Sequence, residues 1–340
     1  MRSRGFGAIA LITTVLLAAG CSSSGSSGTS SGGSAGGSSG SGSGSGSGGA
    51  PKTIADALRD VHAAPTTKTH FAYGLYGGAN LASYNEILTP IIGFNAKAPF
   101  ALTVGKPPTE VTILYGTYDP AAIGAKLQGL GYKQTERGHG ETQWLIRDDH
   151  QFDMNQQPAE LGATLSTLNV IRVSKDRIVY GGATADLDAA GPAQSAALAD
   201  DPVIGEIAKC LSADASGEFT AGLAVPLAVG VGSDGTESIC VAADGDRSAQ
   251  AYGDIFTTQI TKGMTLNQQP WSKMLTDPKV EPLGGKAHVV RLTVRSVTPE
   301  HLILPEALLN GDVARLLGLP TPAGRPTPGP GASTPSDSAS

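Results

Sequence analysis

The sequence predicts an α+β fold: two sheet-plus-helix layers with largely antiparallel strands, of a ferredoxin-like kind, flanked by a disordered N-terminal linker and a disordered C-terminal tail. Three observations carry this. Alternating apolar stretches are joined by short polar turns, as in hairpins, rather than by the regular helical crossovers of a parallel sheet. Two Asp-Pro pairs, Asp119-Pro120 and Asp201-Pro202, each open a run of apolar residues at helical spacing. The stretch 51–317 is rich in such patterning, whereas the segments before and after it are mostly Gly, Ser, Pro and Thr.

Within 51–195, the expected first subdomain, Ile54, Leu58 and Val61 recur at i, i+4, i+7 and predict a short helix over 52–62. A strand follows over 70–76 and ends at Gly77-Gly78. A helix over 81–92 comes next, bent or ended by Pro90. Val111, Ile113 and Tyr115 alternate on one side of a strand spanning 110–117. Asp119 then supplies an N-cap and Pro120 the first helical position, with Ile123, Leu127 and Leu130 on one face and Gly131 suited to the C′ position. Two hairpins close this half, 132–147 around Gly138-His139-Gly140 and 168–183 around Lys175-Asp176.

In 196–317, the expected second subdomain, Val203, Ile207, Cys210 and Leu211 share the inner face of the helix opened by Asp201-Pro202. Phe219, Leu223, Val225, Leu227, Val229 and Val231 fall on alternate positions and read as one strand, bulged or at an edge because Pro226 lacks a ladder donor. A turn at Ser233-Asp234-Gly235 leads to a strand over 238–244, then a helix over 247–261 and a strand over 287–297 with Val290, Leu292 and Val294 inward. Thr298-Pro299 is expected to cap a last helical stretch divided by Pro305. The recurrence of strands, a capped helix and hairpins in both halves hints at an internal repeat changing over near 190–200.

The N-terminus carries a different signal. Arg2 and Arg4 precede an apolar run from Phe6 to Ala19, whose 14 residues span about 21 Å as a helix, short of the roughly 30 Å hydrocarbon core. A cleaved signal over 1–20 is therefore expected rather than a membrane span. Leu16-Leu17-Ala18-Ala19-Gly20-Cys21 resembles the lipobox of bacterial lipoproteins, with its Leu one position further from the cysteine than in the usual pattern. The resemblance implies diacylglyceryl attachment at Cys21 after cleavage before it. Residues 21–50 would then form a Gly/Ser tether with a root-mean-square reach of about 30 Å, and 318–340 a disordered Pro/Ser/Thr tail.

Loss of 1–20 removes Arg2 and Arg4 and leaves 22 basic residues against 30 acidic ones, a net charge of −8. A chain of that sign without a basic run is a poor nucleic-acid partner, so membrane attachment through acyl chains at Cys21 is the one partner the sequence implies. It also places the protein on the extracytoplasmic face. Of the 3 cysteines, Cys210 and Cys240 remain; outside the cytoplasm they are expected to form a disulfide.

Catalytic residues are not visible. There is no G-x-S-x-G, P-loop, H-E-x-x-H or C-x-x-C motif, and the 6 histidines are scattered. Gly74 to Asn80 lies where a phosphate-cradling loop would sit, but a turn needing positive φ explains it equally well. The acidic stretch 148–155 offers Asp149, Asp153 and Asn155 as weak cation ligands without the order of an EF-hand, and a solvated loop is the plainer reading. No metal or cofactor is expected. Tyr73, Tyr76, Tyr84, Trp144 and Trp271 are the aromatics a ligand groove would draw on, though most fit core or rim positions.

TEVTILYGTYDPAAIGAKLQGLGY at Thr109–Tyr132, DRIVYGGATADLDAA at Asp176–Ala190 and ALADDPVIGEIAKCL at Ala197–Leu211 resemble segments of uncharacterised exported lipoproteins of high-GC Gram-positive bacteria. The resemblance covers about half the domain and carries structural caps rather than active-site residues. It implies an extracytoplasmic location and an α+β layout. The functional expectation is a membrane-anchored, non-enzymatic binding or envelope-associated protein. The alternatives are an envelope hydrolase with a site dispersed in sequence, or a transporter's solute-binding lipoprotein, which would need two lobes of parallel strands.

Overall fold

A computed structural model describes residues 51–138, 140–149, 151, 161, 166–191, 196–298 and 300–320. Cys21, the signal and linker, Asp153, Asn155 and the tail from 321 lie outside the described residues.

Twelve antiparallel strands form one sheet. In chain order they are β1 (His70–Tyr73), β2 (Phe100–Val104), β3 (Val111–Tyr115), β4 (Lys133–Gly138), β5 (Glu141–Leu145), β6 (Val170–Val173), β7 (Arg177–Gly181), β8 (Asp214–Thr220), β9 (Leu227–Gly232), β10 (Thr236–Ala242), β11 (Leu275–Gly284) and β12 (Val289–Ser296). Their order across the sheet is β11-β12-β10-β9-β8-β1-β2-β3-β7-β6-β5-β4. The expected α+β class with antiparallel strands is what the chain adopts. Its two sheet-and-helix parts join edge to edge, because β1 pairs with β8 on one side and β2 on the other. At that seam Phe71 faces Phe219 across the β1–β8 pair, with ring centroids 4.9 Å apart and nearly parallel.

The connectivity repeats, but not around the two Asp-Pro helices as expected: α7 (Asp246–Lys262), preceded by Gly245, stands in the second half where α4 (Pro120–Gly129) stands in the first. A hairpin, a helix and returning strands occur twice: β2-β3, α4, then β4 to β7 with β7 against β3; and β9-β10, α7, then β11-β12 with β12 against β10. Both outer edges are blunted. β4 exposes Lys133, Glu136 and Arg137, and β11 carries Pro278 and Pro282 beside register shifts.

Strand alternation sorts side chains onto two faces. On the first, Phe71, Leu102, Val104, Ile113 and Phe219 lie under α1 (Ile54–Ala57), α5 (Thr184–Ala189) and α6 (Ile204–Cys210). On the second, α2 (Ala79–Ala82), α3 (Asn85–Ile92) and α4 cover Leu114, Ile171 and Tyr180. Also on the second face, α7, α8 (Ile303–Asn310) and α9 (Asp312–Leu316) cover Val229, Ile239, Val241 and Leu292.

Two of the three expected caps form, with α6 starting at Ile204 rather than at Pro202; the last helix, α8, starts at Ile303 with Leu302 at its N-cap, not at Thr298-Pro299. Asp119 accepts from the backbone N–H groups of Ala121 and Ala122, and Asp201 from those of Val203 and Ile204. Buried Ile123 and Leu127 fix the α4 face, each worth about 1.5–3 kcal/mol.

Four departures have physical causes. The run 219–231 is a hairpin, not one strand: β8 ends at Thr220 and β9 begins at Leu227, so Phe219 faces the first side while Leu227, Val229 and Val231 face the second. Pro226 stands at the turn rather than in a bulge. β2, β11 and α5 went unpredicted, β11 because its prolines and charges suit an edge and hide the alternation. The helix expected over 81–92 is two short ones, α2 and α3, the second with Pro90 inside it. Pro305 does not divide the last helix, since it occupies the third residue of α8, where a missing N–H costs little; the break is at Gly311, with φ 80°.

Candidate functional site

Cys210 and Cys240 are joined by a disulfide with a Cα–Cα distance of 6.1 Å, tying the end of α6 to β10. Asp149 is committed to structure: its carboxylate accepts the backbone N–H groups of Thr184 at 2.8 Å and Ala185 at 3.3 Å and so caps α5. Among the described residues no group of three or more His, Cys, Asp or Glu side chains could hold a metal ion. The glycine loop 74–80 is a turn. Gly74 and Gly78 have φ 66°, and the amides of Gly74 and Gly78 are spent on Ala101 O and Thr103 Oγ1. A Cβ at Gly77 would lie 2.2 Å from Ala101 O, so close approach to β2 explains that glycine.

Two buried polar networks lie on the first face of the sheet. Asp214 is gripped by Arg291 Nη2 at 2.8 Å and by Ser238 Oγ at 2.7 Å, over Gly230, whose missing side chain makes room for the carboxylate. Burial pushes the Asp214 carboxyl up, against the downward pull of Ser238 and Arg291. Ser238 donates to the Asp214 carboxylate but is fully buried, so its hydroxyl has no access to a substrate. In the other half, Arg172 donates to Gln143 Oε1 at 3.0 Å and to Asp188 at 2.5 Å, and Arg137 also reaches Asp188. Both networks pin strands to neighbours.

Among the described residues, clefts open at the surface in at least two places. One, of 350 Å³, lies among Pro107, Pro108, Glu110, Gln151, Thr167 and Asn169. There the Asn169 amide nitrogen is spent on the carbonyls of Arg147, Asp148 and Gly182. Another, of 280 Å³, lies between α8 and the loop 263–274. Its polar side chains are those of Thr265, Asn267, Gln269, Lys273, Ser296, Thr298, His301, Glu306, Asn310 and Asp312; Trp271, Met274, Ile303 and Ala307 give it apolar wall.

The second cleft is preformed. The loop closes on itself through Thr265 N–H to Gln269 O at 2.9 Å and Gln269 N–H to Thr265 Oγ1 at 3.1 Å. Asp312, buried at the head of α9, accepts from Leu266 N–H at 2.6 Å and anchors the loop to the helices. Trp271 follows in a single 3₁₀ turn, fixed by its N–H to Gly263 O at 3.2 Å. By contrast, the side chains of Asn267, Gln269 and Asn310 make no hydrogen bond among the described residues and are exposed. The Trp271 Nε1–H, in a residue only 1% exposed, likewise has no partner. Amides that can both donate and accept, held beside an indole on a rigid loop, suit recognition of an uncharged polar ligand.

Of the aromatics named from sequence, Trp271 alone lines this cleft. Tyr73 and Trp144 are buried in the core, and Tyr84 is exposed on the other half. The amides escaped notice because Asn and Gln in a loop carry no motif; the clustering of Asn267, Gln268 and Gln269 before Pro270-Trp271 was the only trace. No family model, curated protein or solved structure matches the chain.

Proposed function

We propose that this is an extracytoplasmic binding protein, exported by residues 1–20, anchored to the outer face of the cell membrane by acyl chains on Cys21, and tethered by the Gly/Ser segment to 50. The observation that carries the reading is the Cys210–Cys240 disulfide. It pairs two of the 3 cysteines in a bond that persists in oxidising compartments, and it leaves Cys21, at the end of the apolar run, as the unpaired one. No helix among the described residues is long and apolar enough to cross a membrane, so on this reading attachment falls to the lipid. Binding is favoured by the three uncommitted carboxamides of the cleft, Asn267, Gln269 and Asn310, which stand beside Lys273, His301 and Glu306. The all-antiparallel sheet weighs against a two-lobed solute-binding architecture.

The test is expression of the full chain and of Cys21→Ser in a bacterial host, with metabolic labelling by a fatty-acid analogue. The wild type should take up label and pellet with membranes until detergent is added, and Cys21→Ser should do neither. Equal fractionation and no label in either protein would refute the anchor.

A further inference from the structure

We propose that the cleft between α8 and the loop 263–274 binds a neutral saccharide of about one pyranose ring. The proposal rests on the binding reading above and names the ligand class, independently of the lipid anchor.

Size comes first. A volume of 280 Å³ is near the lower bound for small-molecule sites and holds about nine waters at roughly 30 Å³ each. A single sugar ring, with about a dozen non-hydrogen atoms, fills such a space; a long chain or a fused aromatic cofactor does not.

Hydrogen-bonding character comes next. Sugar hydroxyls donate and accept at the same atom. Asn267, Gln269 and Asn310 each present a donor and an acceptor side by side, and Thr298 adds a hydroxyl, whereas Ser296 Oγ is spent on the Thr298 backbone. None of the three carboxamides is spent within the described residues.

Charge and shape narrow the class. Lys273 and Glu306 bring opposite charges to the cleft, and the Asp312 carboxylate is already held by Leu266 N–H. Neither an anion nor a cation is singled out. Half-buried Met274 and Ile303 supply apolar wall for the C–H surface of a ring. A peptide would instead look for an open strand edge, and the loop's own amide and carbonyl groups at Thr265 and Gln269 pair with each other.

The experiment titrates the full-length protein, in detergent, with glucose, mannose, galactose, arabinose and N-acetylglucosamine, and with tri-alanine as the peptide control. Binding is read by saturation-transfer NMR and by tryptophan emission. At least one sugar should saturate with a Kd of about 1 mM or tighter. Asn310→Ala and Gln269→Ala, both exposed, should each weaken it about 10-fold with unchanged melting temperature. Absence of saturation by every sugar overturns the proposal, as does full affinity in the Asn310→Ala/Gln269→Ala double variant. Saturation by tri-alanine alone overturns the saccharide and leaves the binding reading standing.

Discussion

Glu237 of β10 caps a helix far away in sequence: its Oε2 accepts the backbone N–H of Leu304, at the start of α8, at 2.6 Å. The side chain is fully buried and its Oε1 has no partner. This one contact docks α8, and with it a wall of the cleft, onto the sheet. Burial pushes the Glu237 carboxyl above its ordinary 4.5, against the opposing pull of the Leu304 and Ile303 amides. A carboxyl raised in the folded state binds its proton more tightly than in the unfolded chain. The stability it lends is therefore complete below 4.5 and is lost as pH rises through the raised value.

Wild-type protein should accordingly melt higher at about pH 5 than at about pH 8, since burial also raises Glu110 and Asp60. Glu237→Gln keeps an acceptor for Leu304 and cannot ionise, so it should flatten part of that slope. Glu237→Ala should lose about 2–3 kcal/mol at about pH 5 by orphaning the helix amides, and less at about pH 8, where the wild type has itself lost the stability of the protonated carboxyl. Calorimetric scans across pH decide it; a slope identical in Glu237→Gln and wild type would show that this carboxyl does not titrate with folding.

The Cys210–Cys240 bridge closes a loop with a sequence separation of 30, worth about 3–4 kcal/mol in the chain-entropy treatment. Replacing both cysteines by alanine, or reducing the bond, should lower the melting temperature by about 10 °C. Peptide mapping of the non-reduced protein should recover the two cysteines in one linked pair. A free thiol at Cys210 in the oxidised protein would contradict the structure.

Short-range chemistry was readable from the chain and long-range assembly was not. Asp119 and Asp201 announced their helices because a cap is decided within four residues, and Val111, Ile113 and Tyr115 announced β3 because its two sides are both well defined. The Phe219–Val231 run failed for the opposite reason: a hairpin whose turn contains Leu223 and Val225 preserves a period of two through the reversal. The pairing of β1 with β8 depends on residues about 150 apart, for which periodicity carries no information. The cleft was hidden likewise, since it is assembled from a loop, the end of β12 and two helices, and its groups are amides rather than members of any motif.

Asp214 and Arg291 test whether a buried ion pair acts as a unit. Asp214→Ala should cost about 3–5 kcal/mol, because it leaves a half-buried guanidinium and the Ser238 hydroxyl without their acceptor. Arg291→Met alone should also destabilise. The double variant should be less unstable than the sum by about 1–3 kcal/mol. Urea unfolding with a constant m-value measures all three, and strict additivity would mean that the pair is not coupled.

Two glycines in α4 should respond to alanine with opposite signs. An interior helical glycine ordinarily costs about 0.5–1 kcal/mol relative to alanine, so replacement should help wherever there is room. At Gly129, the last residue of α4, a Cβ would meet nothing within 4 Å, and Gly129→Ala should stabilise by about 0.5 kcal/mol, the lower end of that range. At Gly124 a Cβ would lie 2.7 Å from Cζ2 of Trp144, a ring buried between α4 and β5. The indole cannot withdraw without disturbing Ile123 and Leu127, so Gly124→Ala should destabilise by about 1–3 kcal/mol despite its better helix propensity. Combining Gly124→Ala with Trp144→Phe removes the clash and should recover part of the loss. If Gly124→Ala proved as stabilising as Gly129→Ala, the packing of α4 on Trp144 would be wrong.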